Sequence, residues 1–341
     1  MSSRSNSTCP QRGGDVHTMA LICLFGLLVA SLACSLFYGS VPIGVKEVFT
    51  LLLDSESSSL RREIIVNIRL PRAVGGAITG GALALCGVAM QAVIRNPLAD
   101  PYLMGVSAGA SLGATFFLLM VGGMTGFGLS GFAFLGAAGS LLLVLGLSVR
   151  SKTTVHRMLL AGIAVNVLCS SLSSILIYLR ADAQQLQTVV FWLMGSLAPA
   201  DWAILPWPMA AVTVGLVFFL GQRRNLNLIM LSDEDAFSLG IHPARYRVVY
   251  LIVSACIASS CVAHFGMIGF MGLIVPHIMR FFVGGNHVRL VPFSFLAGSI
   301  FMVWIDILAR SLVSSEIPLG LITGLLGSPF FFWLLLKPDR Q

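Results

Sequence analysis

Long uncharged stretches dominate the pattern of apolar and polar positions along this 341-residue chain. A helix that crosses a membrane needs about 20 apolar residues, and segments of that kind recur throughout the sequence. They predict about ten membrane-spanning helices, over residues 19–39, 73–94, 103–121, 128–149, 158–179, 202–221, 248–265, 267–283, 291–312 and 317–336. The pattern therefore predicts an all-α polytopic membrane protein, with a polar N-terminal tail at 1–18 and a single membrane domain at 19–337.

The composition agrees with a chain that is largely surrounded by lipid. Hydrophobic residues make up 57% of the sequence and charged residues 10%, whereas about 25% of the residues in a soluble domain are charged. A soluble fold of this length could not bury so much apolar surface, which excludes that class of protein. The seven cysteines and six histidines show no metal-ligand spacing, so we expect no metal site. We also expect no catalytic residues and no nucleic-acid partner.

Basic residues in the loops predict the orientation. With ten spans, 14 of the 21 lysines and arginines fall on the side of the N-terminal tail and seven on the other side. Cytoplasmic loops are enriched in lysine and arginine, so both termini are predicted to be cytoplasmic. The first outer loop is an exception, because it holds five of the seven: Lys46, Arg61, Arg62, Arg69 and Arg72. Either nearby acidic residues balance this charge, or the loop forms a basic outer surface for an acidic partner.

The sequence contains no motif with which it could use ATP by itself. None of its three lysines follows a glycine, so the phosphate-binding loop that ends in Gly-Lys is absent. Ion coupling usually requires a carboxylate on the path, and only Asp306 lies well inside a predicted span. Arg310 lies four residues later on the same helix face, which predicts a local ion pair. We therefore expect another protein to supply the energy.

The longest predicted cytoplasmic loop, residues 222–247, contains a short helix. Ser232 and Asp235 have the spacing of a capping box, and Gly240 is suited to end the helix in a left-handed conformation. Acidic residues favour its first turn, and apolar residues follow them. Such an amphipathic helix either lies on the lipid surface or docks on a cytoplasmic motor protein. Its candidate residues are Ser232, Asp233, Glu234, Asp235, Ala236, Phe237, Leu239 and Gly240.

The fifth predicted span carries a polar stripe. Its members are spaced so that they share one side of a helix: Asn166, Ser170, Ser173 and Ser174. Serines often bond back to their own helix, so the stripe is either packing between helices or the lining of a wet solute path.

A series of motifs resembles the FecCD-type permeases of bacterial ABC importers, in that family's order and over residues 40–337. The matching segments are Arg69-Leu70-Pro71-Arg72, Met90-Gln91, Asn96-Pro97-Leu98-Ala99-Asp100-Pro101, Gly105-Val106-Ser107, Leu160-Ala161-Gly162, Trp192-Leu193-Met194-Gly195, Gly266-Met267-Ile268-Gly269-Phe270, Pro276-His277 and Glu316-Ile317-Pro318-Leu319-Gly320.

The resemblance implies the ABC importer type II permease fold and a set of partners. Permeases of this family pair around a central path, so a second permease subunit is expected, most simply an identical copy. Two cytoplasmic ABC ATPases would use the ATP, and this chain would bind no cofactor. An extracytoplasmic binding protein would deliver an iron–siderophore complex, haem, cobalamin or a related metal chelate for transport across the inner membrane by alternating access. The alternative function is a secondary, ion-coupled transporter of a small solute.

The resemblance also implies roles for individual residues. Residues 232–240 correspond to the family's ATPase-coupling helix. Its outer arginines, which meet carboxylates of the binding protein, match Arg69, Arg72 and Arg310. Its inner gate corresponds to Asn96, Leu98, Thr153 and Thr154.

Overall fold

A computed structural model describes the chain at residues 12–39, 43–53, 60–122, 126–149, 155–313 and 315–336, and within these residues every regular element is helical. The α-helices are α1 (Arg12–Phe37), α2 (Val45–Leu53), α3 (Leu60–Glu63), α4 (Leu70–Ile94), α5 (Val106–Phe116), α6 (Gly126–Val149), α7 (Val155–Arg180), α8 (Ala183–Met194), α9 (Pro206–Leu228), α10 (Asp233–Ser238), α11 (Pro243–Phe265), α12 (Met271–Val283), α13 (His287–Ser311) and α14 (Leu319–Leu336).

Each of the ten predicted spans coincides with one of these helices, which confirms the all-α polytopic fold. Among the described residues, six helical segments are long and apolar enough to cross a membrane: Val16–Phe37, Leu60–Ile94, Gly128–Ser148, Val155–Arg180, Pro243–Phe265 and His287–Ser311. Shorter apolar helices occupy Val106–Val121, Met271–Val283 and Leu319–Phe332. Helix α9 completes the ten. It extends beyond the predicted end at residue 221, because Arg223 and Arg224 end the apolar run but still lie within the helix.

Several boundaries differ from the prediction. The helix that contains the second span begins at Leu60 and not at residue 73, because a wider π-helical turn at Ile64–Arg69 joins α3 to α4. Such a turn accommodates Pro71, which lacks the N–H group that a regular helix would use. Helix α1 begins at Arg12, within the predicted polar tail. The sequence did not predict α2 and α8.

Helix α4 forms the centre of the bundle, and it packs against α9, α11, α12 and α13. Glycines permit the closest of these contacts. A side chain at Gly80 would collide with the carbonyl group of Gly298 on α13, and one at Gly87 would collide with the carbonyl group of Gly272 on α12. The glycine spacing therefore serves packing, as membrane helices commonly use it.

Two ends of the bundle hold the groups of interest. At the end that we call the α10 end, the C-terminus of α4 and the N-terminus of α11 meet α10 through Arg95, Arg247 and Asp233. At the opposite end, the C-termini of α1 and α13 meet where Arg310 donates a hydrogen bond to the carbonyl oxygen of Ser35.

Candidate functional site

Helix α10 is held to the bundle by one shared carboxylate. The Asp233 Oδ1 atom accepts hydrogen bonds from Arg95 Nη2 and Arg247 Nη2, both at 2.5 Å. The Oδ2 atom accepts from Arg247 Nη1 at 3.0 Å, so the contact with Arg247 is bidentate. Hydrogen bonding from Arg247, reinforced by Arg95, lowers the pKa of Asp233, so this carboxyl is ionised at neutral pH. The arrangement joins α10 to both α4 and α11.

Local sequence explains how α10 presents its side chains. Ser232 Oγ accepts a hydrogen bond from the Asp235 N–H at 3.1 Å and donates one to Asp235 Oδ2 at 2.6 Å, which agrees with the predicted cap. Gly240 has a φ of +82°, so it turns the chain away in the left-handed region. Ala236 is buried, whereas Phe237 and Leu239 are exposed. Of the eight candidate coupling residues, Phe237 and Leu239 therefore supply the exposed apolar surface.

Part of the predicted inner gate lies beside this network. Arg95, which has a left-handed φ of 55°, and Asn96 line a cleft of about 600 Å³ together with His156 of α7 and Asp233. Asn96 Oδ1 accepts a hydrogen bond from the N–H of Leu98 at 2.9 Å, which fixes the turn. Leu98 itself is half-buried and does not line the cleft. The other two gate candidates, Thr153 and Thr154, lie outside the described residues.

Two of the three predicted outer arginines share a buried carboxylate. Arg72 Nε donates to Asp306 Oδ1 at 2.7 Å, and Arg72 Nη1 donates to Glu316 Oε1 at 2.6 Å. Arg310 Nε lies 3.3 Å from Asp306 Oδ2, so the ion pair predicted between these two residues is present, but Arg72 makes the shorter contact. The side chain of Asp306 is only 1% exposed. This carboxylate is therefore held by two guanidinium groups.

The third arginine faces the same space. Arg69 Nη1 donates to the carbonyl oxygens of Leu36 at 2.7 Å and Phe37 at 3.3 Å, at the end of α1. Arg69, Arg72 and Arg310 all line one cavity of about 1120 Å³ at the opposite end from α10. The structure thus brings the three together, although their side chains are largely buried and engaged within the chain.

The polar stripe on α7 is divided between two environments. Asn166 is half-buried and its Nδ2 donates to the carbonyl oxygen of Tyr102 at 3.3 Å, and Ser173 is buried. Ser170 and Ser174 are exposed. The hydroxyl groups of Ser173 and Ser174 donate hydrogen bonds to the carbonyl oxygens of Cys169 and Ser170 in their own helix, as expected if these serines serve packing.

The sequence did not indicate the Arg95–Asp233–Arg247 network. The sequence places Asp233 in the first turn of the candidate coupling helix but does not indicate its partners, and Arg95 is 138 residues away. Arg95 and Arg247 could have been noted as basic residues at the ends of predicted spans next to an acidic loop, but nothing in the spacing pairs them. Within the part of the chain that the structure describes, no three histidine, cysteine, aspartate or glutamate residues are grouped as metal ligands would be.

Known proteins resemble this chain over nearly its full length. The model of the FecCD transport family matches residues 27–337. The hemin transport system permease protein HmuU of Yersinia pestis is 37% identical over 315 residues, which cover 89% of this chain and 92% of that protein. The molybdate import system permease protein MolB of Haemophilus influenzae is 34% identical over 331 residues, which cover 96% and 98%. A solved structure of an inward-facing, metal-chelate type ABC transporter matches with a TM-score of 0.85 and 32% identity, covering 94% of this chain and 100% of that chain.

Proposed function

Because this chain belongs to the FecCD transport family and is an ABC importer permease, a transport component and not an enzyme, we propose that it carries a metal chelate across the bacterial inner membrane. The proposed cargo is an iron–siderophore complex, haem or cobalamin. Two separate ATPase subunits hydrolyse the ATP, and their closing and opening drives alternating access. No covalent chemistry takes place on this chain.

The anchored helix α10 is the observation that supports ATP-driven transport. Asp233 connects α10 to Arg95 at the end of α4 and to Arg247 near the start of α11. A displacement of α10 by an ATPase would therefore act on α4, the central helix of the bundle, through hydrogen bonds to charged groups, which are among the stronger contacts in proteins. Phe237 and Leu239 give the ATPase an exposed apolar surface.

The proposed orientation follows from this assignment. The α10 end lies in the cytoplasm, together with both termini, and the opposite end faces the extracytoplasmic binding protein. The cavity at that end has three arginines, whereas Asp306 and Glu316 supply two carboxylates to the same cluster. The remaining positive charge is suited to an acidic lobe of a binding protein.

A second permease, most simply an identical copy, would complete the path. Ser170 and Ser174 are exposed on the spanning helix α7, among apolar neighbours such as Val167. Polar side chains on a membrane helix usually face protein or a water-filled cavity rather than lipid. Their position supports a path between two α7 helices.

Uptake by reconstituted vesicles tests the cargo. Vesicles that contain this chain with its ATPase and binding protein would be offered haem, a ferric siderophore, vitamin B12 or molybdate, with and without ATP inside. Haem is the first compound to test, because hemin is the substrate named for HmuU. We expect ATP-dependent uptake of one of the three metal chelates. Uptake of molybdate alone, the substrate named for MolB, would refute a metal chelate as the cargo.

A further inference from the structure

A small groove opens between α9 and α11 at the α10 end of the bundle. Its volume is about 190 Å³, and it is lined by Phe218, Gln222, Arg245, Tyr246, Val249 and Tyr250. Its wall is rigid, because the Tyr250 hydroxyl donates to Gln222 Oε1 at 3.2 Å and the rings of Tyr246 and Tyr250 pack 5.7 Å apart.

Uncompensated positive charge lies at this groove. Arg245 lines the groove and is exposed. It forms no ion pair with any described residue, in contrast with Arg247, which Asp233 holds. An anion is therefore the complementary ligand.

Exposed apolar side chains continue from Arg245 along the spanning helix α11. Val249 follows Arg245 by four residues and Ile252 follows it by seven, so both share its side of the helix. This apolar stripe extends away from Arg245 towards the middle of the membrane.

We propose that this groove binds the headgroup of an anionic phospholipid in the leaflet at the α10 end. Arg245 contacts the phosphate group, and an acyl chain lies along Val249 and Ile252. Tyr246 lies at the depth of the headgroups, where tyrosine is enriched in membrane proteins. Basic pockets between spanning helices bind anionic headgroups by this combination of charge and depth. The inference rests on the proposed function only in assigning that leaflet to the cytoplasm.

A lipid fits these observations better than an acidic partner protein. The apolar stripe runs along the spanning part of α11 and not beyond its end, where a soluble partner would bind. A protein would meet Arg245 without covering Ile252, and this side chain would still need lipid.

Lipid retention by the isolated chain tests the proposal. The purified full-length chain is placed in vesicles of equal amounts of phosphatidylglycerol and phosphatidylcholine and extracted with a mild detergent, and the bound lipids are counted by mass spectrometry. We expect phosphatidylglycerol to be enriched in the bound fraction and Arg245→Gln to lower that enrichment about fivefold. Arg245→Lys should retain most of it, which shows that the site and not the fold was lost in the glutamine variant.

Arg180→Gln is the matched control. Arg180 is exposed and forms no ion pair with any described residue, but it ends α7 at the opposite end from α10, so its loss should leave the enrichment unchanged. A second variant, Val249→Asn, should weaken retention of long acyl chains more than that of short ones.

Three outcomes would overturn the proposal. The enrichment could fall equally in the Arg245 and Arg180 variants, which would indicate general surface charge. Inorganic phosphate could displace all of the phosphatidylglycerol, which would indicate a free-anion site. Arg245→Gln could leave the lipid ratio unchanged, which would show that Arg245 does not hold the lipid; loss of ATPase co-purification in a separate measurement would then make Arg245 a partner contact. No ATPase is present in the lipid assay, so a failure of the transport assignment would not alter its result.

Discussion

Replacing Asp233 with asparagine should loosen α10 from the bundle. The carboxylate accepts three hydrogen bonds from Arg95 and Arg247, and the side chain of Arg247 is 2% exposed, so the variant would leave a buried cation without its anion. Breaking a fully buried pair costs about 3–5 kcal/mol. Asp233 itself is 57% exposed, and solvent screening reduces the cost to about 1–2 kcal/mol. Local opening of α10 should then increase about 5–30-fold.

A cysteine at position 236 reports this opening. Ala236 is fully buried on the inner side of α10, so in a background without the native cysteines Ala236→Cys should react with a hydrophilic thiol reagent only when α10 opens. Its reaction rate should rise about 5–30-fold when Asp233→Asn is added. Glu234→Gln is the matched control, because it removes a carboxylate from the same turn that has no ion-pair partner among the described residues. Equal rates in the two double variants would refute the anchoring role.

The pH dependence of the anchor follows from the direction of the pKa shift. The pKa of Asp233 is lowered below its ordinary value of 3.8, mainly by hydrogen bonding from Arg247. The stabilisation is therefore complete above that ordinary value and is lost only as the pH falls through the lower, folded-state pKa. The opening of α10 should accordingly be the same between about pH 6 and pH 8.

Three further predictions concern the partner surface, the path and the outer cluster. Phe237→Asp should abolish ATPase co-purification and uptake while membrane insertion is unchanged, because it places a charge on the exposed apolar surface of α10; normal co-purification would contradict this. A cysteine at Ser174 should react with a hydrophilic thiol reagent in the assembled transporter and one at the buried Val165 should not, and equal labelling would exclude a path along that side of α7. Arg72→Gln should lower the free energy of unfolding by about 3 kcal/mol in detergent melts, because Asp306 loses its shorter ion pair. Glu316→Gln should cost less than about 1 kcal/mol, because the side chain of Glu316 is 47% exposed. Equal losses in the two variants would show that the burial of Asp306 does not set the cost.

The spanning helices could be predicted because their signal is local. An apolar run of sufficient length specifies a membrane helix wherever it occurs, and the ten runs all correspond to helices. Helix α8 was missed because its polar residues interrupt the apolar run. A capping signal was present, since Asp182 and Gln185 form a reciprocal capping box at its start.

Contacts between distant residues could not be predicted in this way. Asp306 and Arg310 are four residues apart, so helix geometry predicts their pair, but Arg72 is 234 residues from Asp306 and is brought there only by the packing of α4 on α13. For the same reason, the motif match placed Arg69, Arg72 and Arg310 in one group without indicating that they are largely buried. Their docking role remains a prediction, as do the gate and the path.

The energy source is the most direct test of the account. Uptake of the identified cargo would be measured in vesicles that contain this chain, its ATPase and its binding protein, after either ATP depletion or collapse of the proton gradient. We expect uptake to stop without ATP and to continue without the gradient, because the chain has no phosphate-binding loop and its buried Asp306 is held by two arginines. Uptake that continued without ATP and stopped when the gradient collapsed would show instead that the chain is a secondary transporter.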